Sequence, residues 1–566
     1  MLPYFKVGNR LLDIGCSDGE FTELLARDSS YALGIDLSEA LIEQAKKLYS
    51  KSNVLHFDVA DIVQSELAGE FDIVACMGLF TCLTRRADFE RTISHIMAIL
   101  QPGGYLVLKD SLMLDGKDET YVHDNSYEAI YRSEADYLQA FTQFGLQVVQ
   151  RHPLHRGGPT GKVSVLYLLH RPVIQPYLFL PKKATVSRMA ILYQLPESWS
   201  NVRSVWLAAK ARVDVEVVVV LLPFFHQQKE WRRSAVEQQL QKEGIEYISW
   251  DEFDVADAAF DIVLYTTPED SSRPVPFQFP GLKSQVKVTA YIPYGLEVGG
   301  GAQNLEVLYR QPVVAGADAV FVRSSGVKKI FNTYSPTADQ QVVVTGHPRM
   351  DGLIHLSEFD VDPQLVADIA GRTAVLWNAH FSFDEDLWST FDLFAADILI
   401  MLLQRPDLVL IFRPHPLLWK RLIDLGIFNS LEVDELKHEL RSLGIIVDER
   451  PDHRHAFAAS CALMTDAGSF LLEYLVTEKP VLYLCNPKGM ELNEQGQAVV
   501  NYYCTANTAA DIATFIDNLL AATDPGRSAR LDAIPDFFSH FDGHSGERIV
   551  QYLVNRLQQQ TSRSTV

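Results

Sequence analysis

Short apolar runs alternate with amphipathic segments over the first 170 residues of the chain. Strands are predicted at RLLDIG, YALGID, VLHFDV, FDIVACM, YLVLKD, LQVVQR and SVLYLLHR, and helices at EFTELLARD, SEALIEQAKKLYS, DFERTISHIMAIL and SEADYLQAFTQFG. Each crossover is long enough for a parallel βαβ unit. The last two strands are joined by the hairpin-like HPLHRGGPTGK, which predicts an antiparallel strand at the edge of the sheet.

The hydrophobic pattern changes at RPVIQPYLFLPKKATVSR, which is rich in Pro and Lys, has no helical period and predicts a linker. Two further α/β blocks follow, one from Met189 and one after a loop near Gly352 to Thr373. They predict two doubly wound lobes facing a cleft. The expected fold class is therefore α/β, with a Rossmann-like domain at 1–172, a linker at 173–188, lobes at 189–355 and 356–556, and a flexible tail at 557–566.

The composition of the chain indicates which kinds of partner it can bind and which cellular compartment it occupies. The net charge of −22 and the lack of a basic stripe argue against nucleic acid. The six cysteines show no CxxC spacing, which is typical of reduced thiols in a cytosolic protein. The start, MLPYFKVGNR, lacks the apolar core of a signal peptide, and no apolar run is long enough to span a bilayer. We expect a cytoplasmic protein, with any membrane contact peripheral and at the inner face of the cell membrane.

The segment RLLDIGCSDGEFTELLA predicts a strand, a glycine turn and a helix. Gly15 permits the tight turn, and Gly19 lets the helix pack close to the strand. Asp36 ends the next strand, where a carboxylate can accept both hydroxyls of a ribose. Asp61 follows the third strand and could accept from an adenine amine. Together these positions predict a nucleoside cofactor.

Residues 8 to 172 resemble the class I S-adenosylmethionine-dependent methyltransferases, through these positions, the Asp72 to Gly78 segment and LQPGG before strand five. Ser17 stands where that family often has its middle glycine. The resemblance implies S-adenosylmethionine as cofactor, bound by Asp13, Gly15, Ser17, Gly19, Asp36, Asp61 and Met77. Candidate methyl-acceptor groups lie between strand five and the last helix, at His123, Asp124, Tyr127 and Tyr131.

A second candidate site begins at LVLIFRPHPLLWKRL. Pro414 and Pro416 stop the strand and stiffen the backbone around His415. A side chain held at the carboxyl end of a strand is well placed for a cleft. Further on, TDAGSFLLEYL places Gly468 and Ser469 at a helix start, where free N–H groups and the helix dipole favour a phosphate.

Residues 188 to 556 resemble the CDP-glycerol glycerophosphotransferase family, the teichoic-acid and capsule polymerases with a GT-B fold, through RPHP, TDAGSFLLEYL with KPVLYL, and TGHPRMD. The resemblance implies that His415 is catalytic or contacts the donor diphosphate. It implies a nucleotide-activated donor, CDP-glycerol or a related compound, bound by Arg413, His415, Asp466, Gly468 and Ser469 in the second lobe, with the acceptor on the first lobe.

One motif departs from that family. Its WHG histidine, often the general base, is replaced in YIPYG by Pro293 and Tyr294. The candidates for another base are His380, Glu297 and His347. A sugar nucleotide could also replace the donor, as in a related subgroup.

The sequence thus predicts a bifunctional enzyme that methylates and extends the same cell-envelope polymer, with a polysaccharide or lipid-linked acceptor. No metal site is predicted, and the oligomeric state is left open. Two alternatives remain. The C-terminal half could be a sugar-nucleotide 2-epimerase-like enzyme, or the methyltransferase domain could be an inactive scaffold.

Overall fold

The computed structural model describes residues 7–65, 67, 69–113, 117–123, 127–156, 162–172, 179, 181–183, 185–224, 233–296, 298–335, 341–384 and 386–563. Three large sheets, each with helices along it, account for most of them. The predicted α/β fold class is confirmed, with a Rossmann-like sheet followed by two parallel sheets of a two-lobed domain.

The first sheet carries the N-terminal domain, in the order β3-β2-β1-β4-β5-β9-β8. Its strands, with the small hairpin β6–β7, are β1 Asn9–Ile14, β2 Ser29–Asp36, β3 Leu55–Val59, β4 Phe71–Met77, β5 Leu100–Met113, β6 Glu119–His123, β7 Tyr127–Tyr131, β8 Gln147–Arg156 and β9 Lys162–His170. Its helices are α1 Glu20–Leu25, α2 Glu39–Leu48, α3 Arg86–Ile99 and α4 Glu134–Gln143.

The antiparallel strand of this sheet is not at its edge. β9 runs antiparallel to both β5 and β8, and β8 is the outer strand. The hairpin link was predicted correctly, but the edge position was wrong. The apolar β9 lies between two neighbouring strands, and six of its nine side chains are buried and three are half-buried, whereas β8 carries the exposed Arg151 and His152.

The second sheet is entirely parallel, in the order β12-β11-β10-β13-β14-β15-β16. Its strands are β10 Ser187–Tyr193, β11 Val215–Leu221, β12 Tyr247–Ser249, β13 Ile262–Tyr265, β14 Val288–Tyr291, β15 Ala319–Val322 and β16 Val342–Val344. The helices of this first lobe are α5 Arg203–Lys210, α6 Arg233–Lys242, α7 Val255–Ala258, α8 Phe279–Lys283, α9 Ala302–Tyr309, α10 Pro312–Gly316, α11 Ser325–Tyr334 and α12 Pro348–Asp351.

The third sheet, also parallel, has the order β19-β18-β17-β20-β21-β22. Its strands are β17 Thr373–Asn378, β18 Leu408–Phe412, β19 Ile446–Val447, β20 Ala462–Thr465, β21 Val481–Leu484 and β22 Cys504–Ala506. The helices after α12 are α13 Pro363–Ile369, α14 Phe391–Leu403, α15 Leu418–Asp424, α16 Ser430–Ser442, α17 Arg454–Ala459, α18 Phe470–Glu473, α19 Glu494–Val500, α20 Ala509–Leu520, α21 Arg527–Asp532, α22 Ile534–Phe537 and α23 Ser545–Arg563.

The last helix returns to the first lobe. Ile549, Leu553 and Leu557 recur every four residues and are buried in the core around β10, β11 and β14. Helix α23 therefore continues to Arg563, through most of the segment predicted to be a flexible tail. Helix α23 thus packs on the first lobe, although it follows the second lobe along the chain.

The methyltransferase-like sheet and the first lobe share one apolar core. The His170 ring lies between Tyr105 and Trp250, with centroid separations of 5.1 and 5.5 Å. In the predicted linker, Phe179 packs edge-on against Phe253 and Phe260. The domains therefore meet through buried aromatic groups, and Phe179 of the predicted linker packs on the first lobe.

Among the helices of the described part of the chain, none is long and apolar enough to cross a membrane.

Candidate active sites

Four adjacent parallel strands end together at one edge of the first sheet. The register pairs Ile14 with Ile35 and with Cys76, and Asp36 with Val59. The predicted cofactor residues at these strand ends are therefore brought together: Gly15 after β1, Asp36 at the end of β2, Asp61 after β3 and Met77 at the end of β4. Such an edge is where ligands bind in open α/β sheets.

The turn after β1 uses three left-handed residues. Gly15, Ser17 and Gly19 have φ values of +78°, +53° and +86°. Ser17 thus takes the backbone conformation of the glycine it replaces, and its N–H donates to the Asp36 carboxylate at 3.0 Å. Asp36 also accepts from the Ser38 N–H at 2.9 Å. Each Asp36 oxygen retains a further lone pair that could accept a ribose hydroxyl.

Asp13 and Gly19 hold the turn between β1 and α1 in its conformation. The Asp13 carboxylate is 1% exposed and accepts the Thr22 hydroxyl at 2.7 Å. Burial raises the pKa of Asp13 to about 6, although the Thr22 hydrogen bond lowers it. A Cβ on Gly19 would lie 2.6 Å from the Phe57 ring. Asp13 is therefore placed to hold the turn in position, and Gly19 is required by a close approach to β3 as well as by its φ.

The candidate methyl-acceptor groups are only partly described. His123 and Tyr127 pair through their backbones at the end of the β6–β7 hairpin, and Asp124 lies outside the described residues. The Lys162 ammonium lies 4.2 Å from the centre of the Tyr131 ring. Asp110 was not predicted from the sequence; it is a buried carboxylate near the end of β5 and accepts from the Tyr137 hydroxyl at 3.1 Å. A carboxylate late in an apolar strand is the sequence feature that could have indicated it.

The second candidate site lies at the carboxyl ends of β18, β17 and β20. The register pairs Trp377 with Phe412 and Asn378 with Thr465. Two predicted residues, His380 and His415, follow β17 and β18, and their ring centres are 5.3 Å apart. The structure therefore brings together two histidines that are far apart in the sequence.

Both rings are oriented by the same local contact. Nδ1 of His380 accepts from the Ser382 N–H, and Nδ1 of His415 accepts from the Leu417 N–H, both at 3.2 Å. A neutral imidazole that accepts at Nδ1 carries its proton on Nε2. Burial lowers the pKa of His380 to about 3. His380 is therefore neutral near pH 7, and in this orientation both rings can donate from Nε2.

Asp466 and Arg413 are predicted to contact the donor, and in this structure their side chains pair with other groups of the protein. Asp466 is 1% exposed, and its carboxylate accepts from the backbone N–H groups of His380 and Thr390 at 2.8 and 2.9 Å. Burial raises the pKa of Asp466 to about 7. The Arg413 guanidinium is paired with the buried Asp448 at 2.8 Å. Both side chains are occupied in holding loops, because burial demands partners for their charges.

Gly468 and Ser469 stand before α18, as predicted, but this helix has only four residues. A single turn carries little macrodipole, so the dipole argument is weaker than the sequence indicated. The Ser469 side chain makes no capping hydrogen bond to the helix. The last residue of α18, Glu473, is fully buried and was missed by the sequence analysis.

His347, one of the predicted candidates for a general base, is enclosed by the protein. The ring is 2% exposed, its Nε2 lies 3.0 Å from the Pro293 carbonyl oxygen, and its Nδ1 accepts from the Arg349 N–H at 3.3 Å. Burial lowers the pKa of His347 to about 3. Glu297, the other candidate base, lies outside the described residues. Over the residues that the structure describes, no group of three or more His, Cys, Asp or Glu side chains could hold a metal ion.

Comparisons with known families match two separate parts of the chain. A family described as methyltransferase domain matches residues 1–151. A family described as CDP-glycerol:poly(glycerophosphate) glycerophosphotransferase matches residues 302–555.

The curated relatives resemble the N-terminal part. The ubiquinone biosynthesis O-methyltransferase of Coxiella burnetii is 35% identical over 101 residues, which are 18% of this chain and 42% of that protein. The protein of the same name from Aromatoleum aromaticum is 35% identical over 100 residues, 17% of this chain and 42% of that protein. The chain thus spans less than half of the length of these relatives.

Solved structures are similar over the same region. A methyltransferase from Methanosarcina mazei has 17% identity and a TM-score of 0.26, covering 30% of this chain and 95% of its own. One from Mesorhizobium loti has 16% identity and a TM-score of 0.25, covering 30% and 94%. With both family matches, the predicted resemblance is confirmed: the chain carries an N-terminal S-adenosylmethionine-dependent methyltransferase domain and a C-terminal CDP-glycerol:poly(glycerophosphate) glycerophosphotransferase domain.

Proposed function

We propose that the N-terminal domain transfers a methyl group from S-adenosylmethionine to a nucleophile on a cell-envelope polymer. The convergence of Gly15, Asp36, Asp61 and Met77 at one sheet edge carries this proposal. The left-handed turn leaves room for the cofactor, since a Cβ on Gly15 would meet nothing within 4 Å. Asp36 would accept the ribose hydroxyls, and Asp13 would hold the turn. Bound S-adenosylmethionine would supply the electrophilic methyl group.

Replacing Asp36 tests the cofactor site. Asp36→Ala removes a charged acceptor whose hydrogen bonds are each worth about 1.5–3 kcal/mol, so affinity for S-adenosylmethionine should fall at least tenfold, roughly the effect of one such bond. Calorimetric titration gives the affinity, and circular dichroism confirms the fold. Glu43→Ala, which removes an exposed carboxylate from α2, is the matched control and should bind normally. Unchanged affinity in folded Asp36→Ala would exclude Asp36 from the site.

For the C-terminal domain we propose transfer of glycerophosphate from CDP-glycerol to a hydroxyl of a poly(glycerophosphate)-type acceptor. The acceptor oxygen forms a bond to the distal phosphorus, the bond to the bridging oxygen breaks, and CMP leaves as the hydroxyl proton is released. Phosphoryl transfer depends mainly on positioning and charge stabilisation. The paired rings of His380 and His415 support this reaction, because both can donate from Nε2 to phosphate oxygens.

His415→Ala should lower transfer by roughly 10²–10⁴-fold, the range for a lost acid–base or charge-stabilising group. Methylation of a preformed acceptor should be nearly unchanged, because the other domain performs it. His438→Ala, which removes an exposed histidine of α16, should leave both reactions intact. Release of CMP and incorporation of labelled methyl groups measure the two reactions. Loss of methylation with normal transfer would show that the two sites have been confused.

Both reactions are proposed to act on the same polymer, since the two domains share one chain and one apolar core. The acceptor would be polymeric or lipid-linked. Incubation with labelled S-adenosylmethionine and CDP-glycerol should place both labels in one size-resolved product. Separate products for the two labels would contradict the shared acceptor while leaving each single reaction standing.

A further inference from the structure

Arg349 connects the two lobes of the transferase domain. It lies in α12 of the first lobe and donates to Asn201 Oδ1 at 2.8 Å and to the carbonyl oxygens of Glu197 and Tyr294 at 3.2 and 3.3 Å. On the other side it donates to Glu473 Oε1 of the second lobe at 2.8 Å. One guanidinium therefore holds two loops of its own lobe and one helix of the other.

The partner carboxylate belongs to the helix that follows the predicted phosphate-binding turn. Glu473 is the last residue of α18, directly after which the chain turns, and Ser469 is its N-cap. The Glu473 side chain is 0% exposed, and Nε2 of His453 lies 3.0 Å from its second oxygen. Although burial favours the neutral acid, the charge of Arg349 and the nearby His453 ring hold the pKa of Glu473 well below its usual range. Glu473 is thus a buried anion.

The lobes also touch beside this pair. Gly299 bridges to Leu492 through the backbone, and a Cβ on Gly300 would lie 2.4 Å from the Glu491 carbonyl oxygen. The glycine run therefore lets the two lobes meet closely. If the lobes separated, the buried Glu473 would lose Arg349, and the removal of one partner from a buried ion pair is unfavourable.

We propose that Arg349 is a positioning residue for the nucleotide donor: its ion pair with Glu473 forms when the lobes close and fixes the turn that carries Gly468 and Ser469. This inference rests on the proposed transfer reaction. Arg349 has no contact with the donor in this role. It acts by setting where the backbone N–H groups at the start of α18 point, so its loss weakens donor binding more than the bond-making step.

The experiment is steady-state transfer from CDP-glycerol by the full chain with Arg349→Lys and Glu473→Gln. Lysine keeps the charge but loses the planar fork that reaches several acceptors. Each variant should raise the KM for CDP-glycerol at least tenfold with kcat changed less than threefold. The double variant should be little worse than either single change, because both remove the same interaction. Methylation, measured in parallel, should stay normal.

The matched control is Arg530→Lys, which alters a buried arginine paired with Asp524 within the second lobe alone. It should leave the KM for CDP-glycerol unchanged. An unchanged KM in both test variants, or an equal rise in the control, would overturn the positioning role. If Arg349→Lys fails to fold, Glu473→Gln decides by the same criterion. A wild-type chain that releases no CMP from CDP-glycerol would overturn the proposed reaction itself, and this inference with it.

Discussion

At the residue scale, burial shifts the pKa of several side chains in both candidate sites toward the neutral form. Burial raises the pKa of Asp13 to about 6 and that of Asp466 to about 7, and it lowers the pKa of His347 and His380 to about 3. Neutral imidazoles with a fixed tautomer are donors at one nitrogen and acceptors at the other. The sites therefore rely on oriented hydrogen bonds.

Buried carboxyl groups with a raised pKa and buried histidines with a lowered pKa change the free energy of unfolding in opposite directions as the pH changes. A carboxyl whose folded pKa is raised stabilises the fold fully below its ordinary pKa, and this contribution is lost as the pH rises to the folded value. A histidine whose folded pKa is lowered contributes fully above about pH 6.5, and its contribution is lost as the pH falls toward 3. Between about pH 4 and 6 the two effects oppose each other.

Asp466→Asn should make the opposition between these two pH effects measurable, because it removes one of them. Asparagine cannot take up the proton that folded Asp466 holds between its ordinary pKa and about 7. The free energy of unfolding should then rise more steeply with pH in that window, by up to about 1.4 kcal/mol per pH unit. Urea denaturation of the full chain at several pH values between about 4.5 and 6.5, which lie inside this window, measures the slope. The exposed Asp434→Asn is the control, and parallel curves for the two variants would contradict the assignment.

At the element scale, the sheets were predictable but the contacts beneath the loops were not. Parallel strands end at one edge, so the meeting of Gly15, Asp36 and Asp61 follows from the strand pattern alone. The burial of Asp466 depends on how the chain after β17 folds over it, which no periodicity records. Arg349 and Glu473 are separated by 124 residues and belong to different sheets, so only the tertiary structure pairs them.

The turn between β1 and α1 gives a prediction with an internal control. Gly15 and Gly19 both have positive φ, but only Gly19 faces a ring, with Phe57 2.6 Å from an added Cβ. Gly15→Ala should cost about 1–2 kcal/mol for the left-handed backbone. Gly19→Ala adds a steric clash that typically costs about 1–3 kcal/mol. Hydrogen exchange of the backbone amides of β1 and α1 in the full chain compares the two losses, and equal losses would show that the Phe57 ring moves away freely.

At the scale of the whole molecule, the sequence identified three sheets but not how the first and second are joined. The apolar pattern of β5 and β9 shows that both faces are covered, and it cannot say which element covers them. In the structure part of this cover comes from the transferase lobe, through Trp250 and the 275–277 turn beside β8. The predicted domain boundaries stay predictions, and Phe179 of the predicted linker packs against Phe253 and Phe260 of the transferase lobe.

Trp250→Ala should therefore destabilise the methyltransferase domain, although Trp250 belongs to the transferase lobe. The ring is 2% exposed and packs on His170, and truncating a buried Trp costs about 3–5 kcal/mol. Backbone hydrogen exchange in β5 and β9 should accelerate, because these strands lose their cover. Trp206→Ala, which removes a ring from the core of the first lobe around Trp199, is the control and should leave exchange in β5 and β9 unchanged.

A fragment of residues 1–172 should show the same loss of protection as Trp250→Ala or a greater one, since it lacks the whole covering surface. Full protection of β5 and β9 in that fragment would mean that the methyltransferase domain folds independently and that the shared aromatic contacts add nothing to its stability.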